Sequence, residues 1–164
     1  MNAVVRPDER PGPKGGAAPN EAAGSTERSS WAILGGLFEK ELHSEADVLG
    51  LVENGISTEC YQAIVNHLQV PKGAIGAETT IRNRLKKPNE RLNTEESERL
   101  VGIARVYASA SSLFGTEQKA LEWMHRPAKY LPDRAPLTPM ALATLDAGVR
   151  LLEERLLRTA HGMY

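Results

Sequence analysis

From Trp31 onward the apolar residues of this chain recur at spacings of three and four, and nowhere do they alternate over a useful length. Tyr61, Ile64, Val65 and Leu68 stand at i, i+3, i+4 and i+7, one buried stripe of a helix. Trp31, Leu34, Phe38 and Leu42 form a second stripe, and Leu100, Ile103, Ala104, Tyr107 and Ser111 mark one face of a long helix. Leu142, Leu145, Val149, Leu152 and Leu156 predict a last helix with a continuous apolar seam. With no period-two segment and no internal repeat, the fold class is all-α.

Side chains that bond the first free N–H groups of a helix sit where these stripes begin. Ser44 is placed to cap a helix carrying Val48, Leu49 and Val52, with Asp47 three residues on and Asn54-Gly55 as its stop. Ser57 caps the next. Asn93 precedes Glu96 by three, and Thr116 opens a helix with Ala120, Leu121 and Met124 inward. Thr138-Pro139 pairs a cap with a proline at the first helical position. Pro71 is expected to start a short helix, and Thr79 or Thr80 to cap the one that Pro88 ends. Pro127, Pro132 and Pro136 make 126–138 an ordered loop.

Residues 1–30 differ. They hold four prolines, four glycines, no aromatic residue and charges that cancel, so a disordered tail is expected. The rest divides into 31–88, a helix-turn-helix domain, and 89–164. The chain has 164 residues and a formal net charge of −1, which excludes a globally basic nucleic-acid coat but not a local patch. The single Cys60 excludes an internal disulfide. No apolar leader is visible, and the longest uncharged stretches, about a dozen residues, are too short to span a bilayer. A cytoplasmic protein without membrane contact is expected.

One local patch exists. Between Lys72 and Arg91 lie six basic and two acidic residues, four of the basic ones within Arg82–Lys87. A short basic helix beyond a tight turn has the outline of a helix-turn-helix. Ile81 and Leu85 would point inward, leaving Arg82, Asn83, Arg84, Lys86 and Lys87 outside. Arg can bond guanine and Asn adenine in the major groove, while Lys72, Lys86 and Lys87 suit phosphates. Thr79 and Thr80 at the helix start complete the candidate DNA-binding set. The competing reading is a solvated helix face.

Catalytic constellations are missing. His43, His67, His125 and His161 are scattered, with no pair at metal-ligand spacing, so neither a metal nor a cofactor is expected. Cys60 reads as a small hydrophobe beside an apolar face. Glu95-Glu96 and Glu153-Glu154 read as helix-surface carboxylates. The last helix is apolar over more than one stripe, so either it is the core of a bundle or part of it meets something else. The ending on Gly162-Met163-Tyr164 suits a tail that plugs a partner's pocket.

The run Arg91-Leu92-Asn93-Thr94-Glu95-Glu96-Ser97-Glu98-Arg99-Leu100, then Ile103-Ala104-Arg105-Val106, resembles the centre of the Xre/MbcA/ParS antitoxins. Phe114-Gly115, Lys119-Ala120-Leu121-Glu122-Trp123-Met124, Pro127, Pro136-Leu137 and Leu157–Tyr164 follow that family's order. Thr79-Thr80-Ile81-Arg82-Asn83-Arg84 sits where the family places its Xre-type helix-turn-helix. The resemblance covers about residues 44–164 and is most specific in the C-terminal half. It implies a non-enzymatic antitoxin of a type II toxin–antitoxin system, a homodimer or a higher assembly with its toxin. The partner would be a RES-domain toxin, related to ADP-ribosyltransferases and acting on NAD, and the complex would bind operator DNA. Toxin contacts would fall on 90–164, above all the loop 126–138 and the end 158–164. Pro127, Leu137, Arg158, His161, Gly162, Met163 and Tyr164 are the residues implied. The alternative is a stand-alone helix-turn-helix transcriptional regulator whose C-terminal part serves only to dimerise.

Overall fold

The computed structural model describes residues 28–162. Among them are eight helices and no strand: α1 (Ser30–Phe38), α2 (Glu45–Asn54), α3 (Thr58–Leu68), α4 (Glu78–Leu85), α5 (Thr94–Phe114), α6 (Glu117–Met124), α7 (Pro139–Leu142) and α8 (Asp146–Ala160). The expected all-α class is what the chain adopts. Of the expected tail 1–30, residues 1–27 lie outside the described residues, while Ser29 and Ser30 cap and open α1.

The caps explain the starts. Ser44, Ser57, Thr116 and Thr138 each accept a hydrogen bond from the backbone N–H three residues on. Asn93 and Glu96 form a reciprocal capping box on α5. The Asp47 carboxylate also accepts from the His43 N–H and the Ser44 hydroxyl, and these bonds hold its pKa below the usual value.

Helix α5 is the axis. Leu100, Ile103, Ala104, Val106 and Ala110 are wholly buried, and α1, α2, α6 and α8 all pack on it. A helix buried nearly all round needs small residues where neighbours cross. Gly102 is one: a Cβ there would stand 3.0 Å from both the Ala143 carbonyl oxygen and Val149 Cγ2. One apolar core runs from Leu34 and Phe38 through Ile64 and Ile103 to Met124 and Leu152, so segments 31–88 and 89–164 share it.

Four expectations change. First, α4 begins at Glu78 after Ala77, whose methyl cannot cap, so Thr79 and Thr80 lie inside the first turn. Glu78 supplies the negative charge that favours a helix start. Second, Pro71 opens a turn closed by Ala74 N–H to its carbonyl rather than a helix. Third, α1 ends at Phe38 through a left-handed Glu39, and Leu42 reaches the core from the following loop. Fourth, the last helix is broken. Leu145, placed in the buried seam, is the extended N-cap residue of α8 and is 64% exposed. The break lets Gly148 close on α7, where a Cβ would fall 1.9 Å from the Leu142 carbonyl oxygen.

Candidate functional site

The basic segment is fixed by the joint between α4 and α5. Thr58 N–H donates to the Glu90 carbonyl, Leu92 N–H to that of Ile56, and the Arg91 guanidinium to that of Gly55 at 2.8 Å. Gly55 itself has φ 74°, and a Cβ there would lie 2.6 Å from the Leu92 carbonyl oxygen, so a glycine is required on both counts. These bonds tie the turn before α5 to the turn before α3, and α4 hangs between them.

The structure divides the candidate DNA-contacting side chains. Arg84, expected to face outward, turns in. Its guanidinium lies 2.7 Å from the Glu96 carboxylate and donates to the Arg91 carbonyl at 3.0 Å. Glu96 is buried, and its other job is to accept the Asn93 N–H of the capping box. It is therefore no surface carboxylate. A buried carboxylate needs a cation, and Arg84 supplies it. Arg82 pairs with Glu78 at 2.8 Å, and Lys72 stands 3.9 Å from the same carboxylate. Lys86 and Lys87 are exposed and have no ion-pair partner among the described residues. Thr79, Thr80 and Asn83 are exposed on the same short helix.

The second region brings the loop 126–138 against α8. Ala128 and Leu137 exchange backbone hydrogen bonds of 3.0 Å each, which closes the loop at its base. Leu137 packs on the core from that base, and Pro127 beside it is exposed. The loop is held to α8 by Arg155, which lies 5.2 Å over the Tyr130 ring and donates to the Tyr130 carbonyl at 3.0 Å. Burial pushes the Tyr130 phenol up in pKa, and the Arg155 charge partly opposes this. Neither residue was singled out from the sequence, and no local signal could pair positions 25 apart.

Arg158, His161 and Gly162 form the exposed end of this region. Arg158 bonds Glu154 one turn back along α8. His161 is the C-cap and Gly162 follows with φ 70°. Met163 and Tyr164 lie outside the described residues. The loop 126–138 carries Arg126, Lys129 and Arg134 and one acidic residue, Asp133.

Several other titratable groups join helices. His67, at the end of α3, stands 3.4 Å from the Tyr107 hydroxyl of α5 and 3.8 Å from Glu117 at the start of α6. A nitrogen of His125 lies 3.0 Å from the Leu68 carbonyl oxygen. The Cys60 thiol donates to the Leu37 carbonyl, and burial raises its pKa, as suits a packed thiol and not a nucleophile. Glu153 is half-buried and bonded to Arg105, again a structural carboxylate.

No known protein-family model matches the chain. It is similar to a protein named Antitoxin Xre. That protein comes from Pseudomonas putida, and the two are 34% identical over 83 residues. The aligned stretch is 51% of this chain and 50% of the other, so the chain spans about half the length of the curated relative it matches. Among the described residues no helix is long and apolar enough to cross a membrane.

Proposed function

We propose that this chain is an antitoxin of a type II toxin–antitoxin system. The observation that carries the reading is its similarity to a protein named Antitoxin Xre. In this reading 31–88 is the Xre-like helix-turn-helix part and 89–164 the toxin-binding part. The toxin is of the RES type, acts on NAD, and is neutralised when its active-site cleft is covered.

The mechanism is steric. The loop with Pro127 and Leu137 and the end with Arg158, His161, Gly162, Met163 and Tyr164 would enter or roof the cleft. Arg158 can offer two parallel N–H donors to a carboxylate in the toxin. That Arg155 ties the loop to α8 supports the reading, because a surface fixed before contact loses less entropy on binding. DNA autoregulation would use Arg82, Asn83, Lys86 and Lys87, with Lys72, Thr79 and Thr80 at the edge. Arg84 would act there only by holding α4 in place.

The test is co-expression with the product of the neighbouring gene, a tag on this chain alone, and size-exclusion chromatography with mass determination. A stable complex that neutralises the toxin, and a chain lacking 158–164 that does not, is the expected result. Full neutralisation by the truncated chain would overturn the placement of the contact. No complex with either neighbour, together with tight operator binding by this chain alone, would leave the stand-alone regulator in its place.

A further inference from the structure

A groove of about 610 Å³ runs between α2, the first half of α5 and the α7–α8 corner. Its floor is apolar, formed by Val48, Val52, Val101 and Val149. Leu49 and Leu145 line it with side chains 57% and 64% exposed. With Leu157 they are the large hydrophobic side chains that stand exposed among the described residues. The break between α7 and α8 is what sets Leu145 outside the core.

The lining is acidic. Glu45, Glu95, Glu98 and Asp146 contribute four carboxylates against the guanidinium groups of Arg99 and Arg105. Both arginines are already engaged. Arg99 bonds Glu95 and the Ile75 carbonyl, and Arg105 bonds Glu45 and Glu153. Asp146 in turn pairs with Arg150 one turn on along α8, which leaves Glu98 as the lining carboxylate with no ion-pair partner among the described residues.

Apolar floor, leucine lips and a net negative rim fit one kind of occupant. The groove offers no strand edge, so an added strand has nothing to pair with. An amphipathic helix with apolar residues at i, i+3, i+4 and i+7 fills such a cleft between helices. Basic flanks on that helix would meet the carboxylates. A second copy docked through the same face would bring like charges together. We infer that this groove is a docking site for an amphipathic helix of a partner protein, with leucine-like side chains on one face and Lys or Arg at its flanks.

The experiment titrates the full chain, methyl-labelled, with a designed Leu/Lys amphipathic helical peptide and with its Leu/Glu twin. The expected result is saturable binding of the Leu/Lys peptide alone, with shifts on the methyls of Leu49, Val101 and Leu145. The Leu49→Ser/Leu145→Ser double variant changes only exposed side chains and should weaken binding tenfold or more. Glu98→Lys should weaken it several-fold. Equal binding of both peptides, shifts centred elsewhere, or an unchanged double variant would overturn the assignment. So would a chain that is dimeric by ultracentrifugation and becomes monomeric in the double variant, since the occupant would then be a second copy. Groove methyls that shift on deletion of residues 1–27 would overturn it as well, in favour of the chain's own N-terminal segment.

Discussion

Arg84 and Glu96 lie 2.7 Å apart, and that contact joins the basic helix α4 to the cap of the central helix α5. Glu96 serves two groups at once, the Arg84 guanidinium and the Asn93 N–H. Glu96→Ala removes the capping box and strands Arg84, and should cost about 2–4 kcal/mol. Arg84→Ala leaves the buried Glu96 carboxylate without its cation and should cost about 3–5 kcal/mol. Urea unfolding of the two single variants and the double variant measures the coupling. Fully additive losses would mean that the pair contributes nothing to the stability of the joint.

The same contact separates two roles within the basic segment. If the chain binds operator DNA, Lys86→Ala and Lys87→Ala should each lower the slope of log affinity against log salt by about 1. Arg84→Ala should lower the denaturation midpoint and leave that slope unchanged, because its guanidinium is already committed to Glu96. A slope that falls equally in all three variants would show Arg84 released to phosphate on binding.

The starts of five helices were legible because a cap is a matter of three or four neighbouring residues. Ser44, Ser57, Asn93, Thr116 and Thr138 each declared themselves in the sequence and each caps. The α7–α8 break was not legible. Leu142, Leu145 and Val149 fit one helical stripe, yet α7 ends at Leu142, Leu145 is extended, and Gly148 packs so close to the Leu142 carbonyl that a Cβ would fall 1.9 Å from its oxygen. The candidate site divides in the same way. Its basic residues could be named from local composition and its C-terminal ones from the family resemblance, but Arg84–Glu96 and Tyr130–Arg155 join positions brought together by folding.

That break makes a steric prediction. Gly148→Ala would push a methyl into backbone, not into the tip of a mobile side chain, so α7 must move. The expected cost is about 3 kcal/mol or more, against about 1–3 kcal/mol for Gly102→Ala, whose neighbours include a valine methyl that can shift. Thermal unfolding of both variants decides the order, and a Gly148→Ala protein as stable as the parent would contradict the packing of this corner.

Alkaline pH should loosen the molecule through one buried phenol, Tyr107, and two half-buried ones, Tyr61 and Tyr130. Burial raises the pKa of Tyr61, Tyr107 and Tyr130 above the ordinary value of 10.0. A raised folded-state pKa means that the protonated form is the one the fold prefers. The contribution to stability is therefore complete below pH 10.0 and declines as pH rises through the folded-state values. Near-ultraviolet absorbance should show these three phenols ionising later in the folded chain than in urea. Coincident titrations in the two states would contradict their burial.

Arg158 offers the cleanest separation of contact from stability. It is exposed, and its partner is Glu154 one helical turn away, a kind of pair worth about 0.3–0.5 kcal/mol. Arg158→Ala should therefore leave unfolding almost unchanged. If the end of α8 enters the toxin, the same change should weaken neutralisation at least tenfold, and His161→Ala should weaken it less. Arg155→Ala should act differently. It releases the Tyr130 carbonyl and ring, costs about 1 kcal/mol, and weakens binding by freeing the loop although the contact side chains remain. Toxin binding measured by calorimetry, beside unfolding of each variant, distinguishes these roles. Neutralisation that survives Arg158→Ala, His161→Ala and Arg155→Ala alike would move the contact away from this end of the molecule.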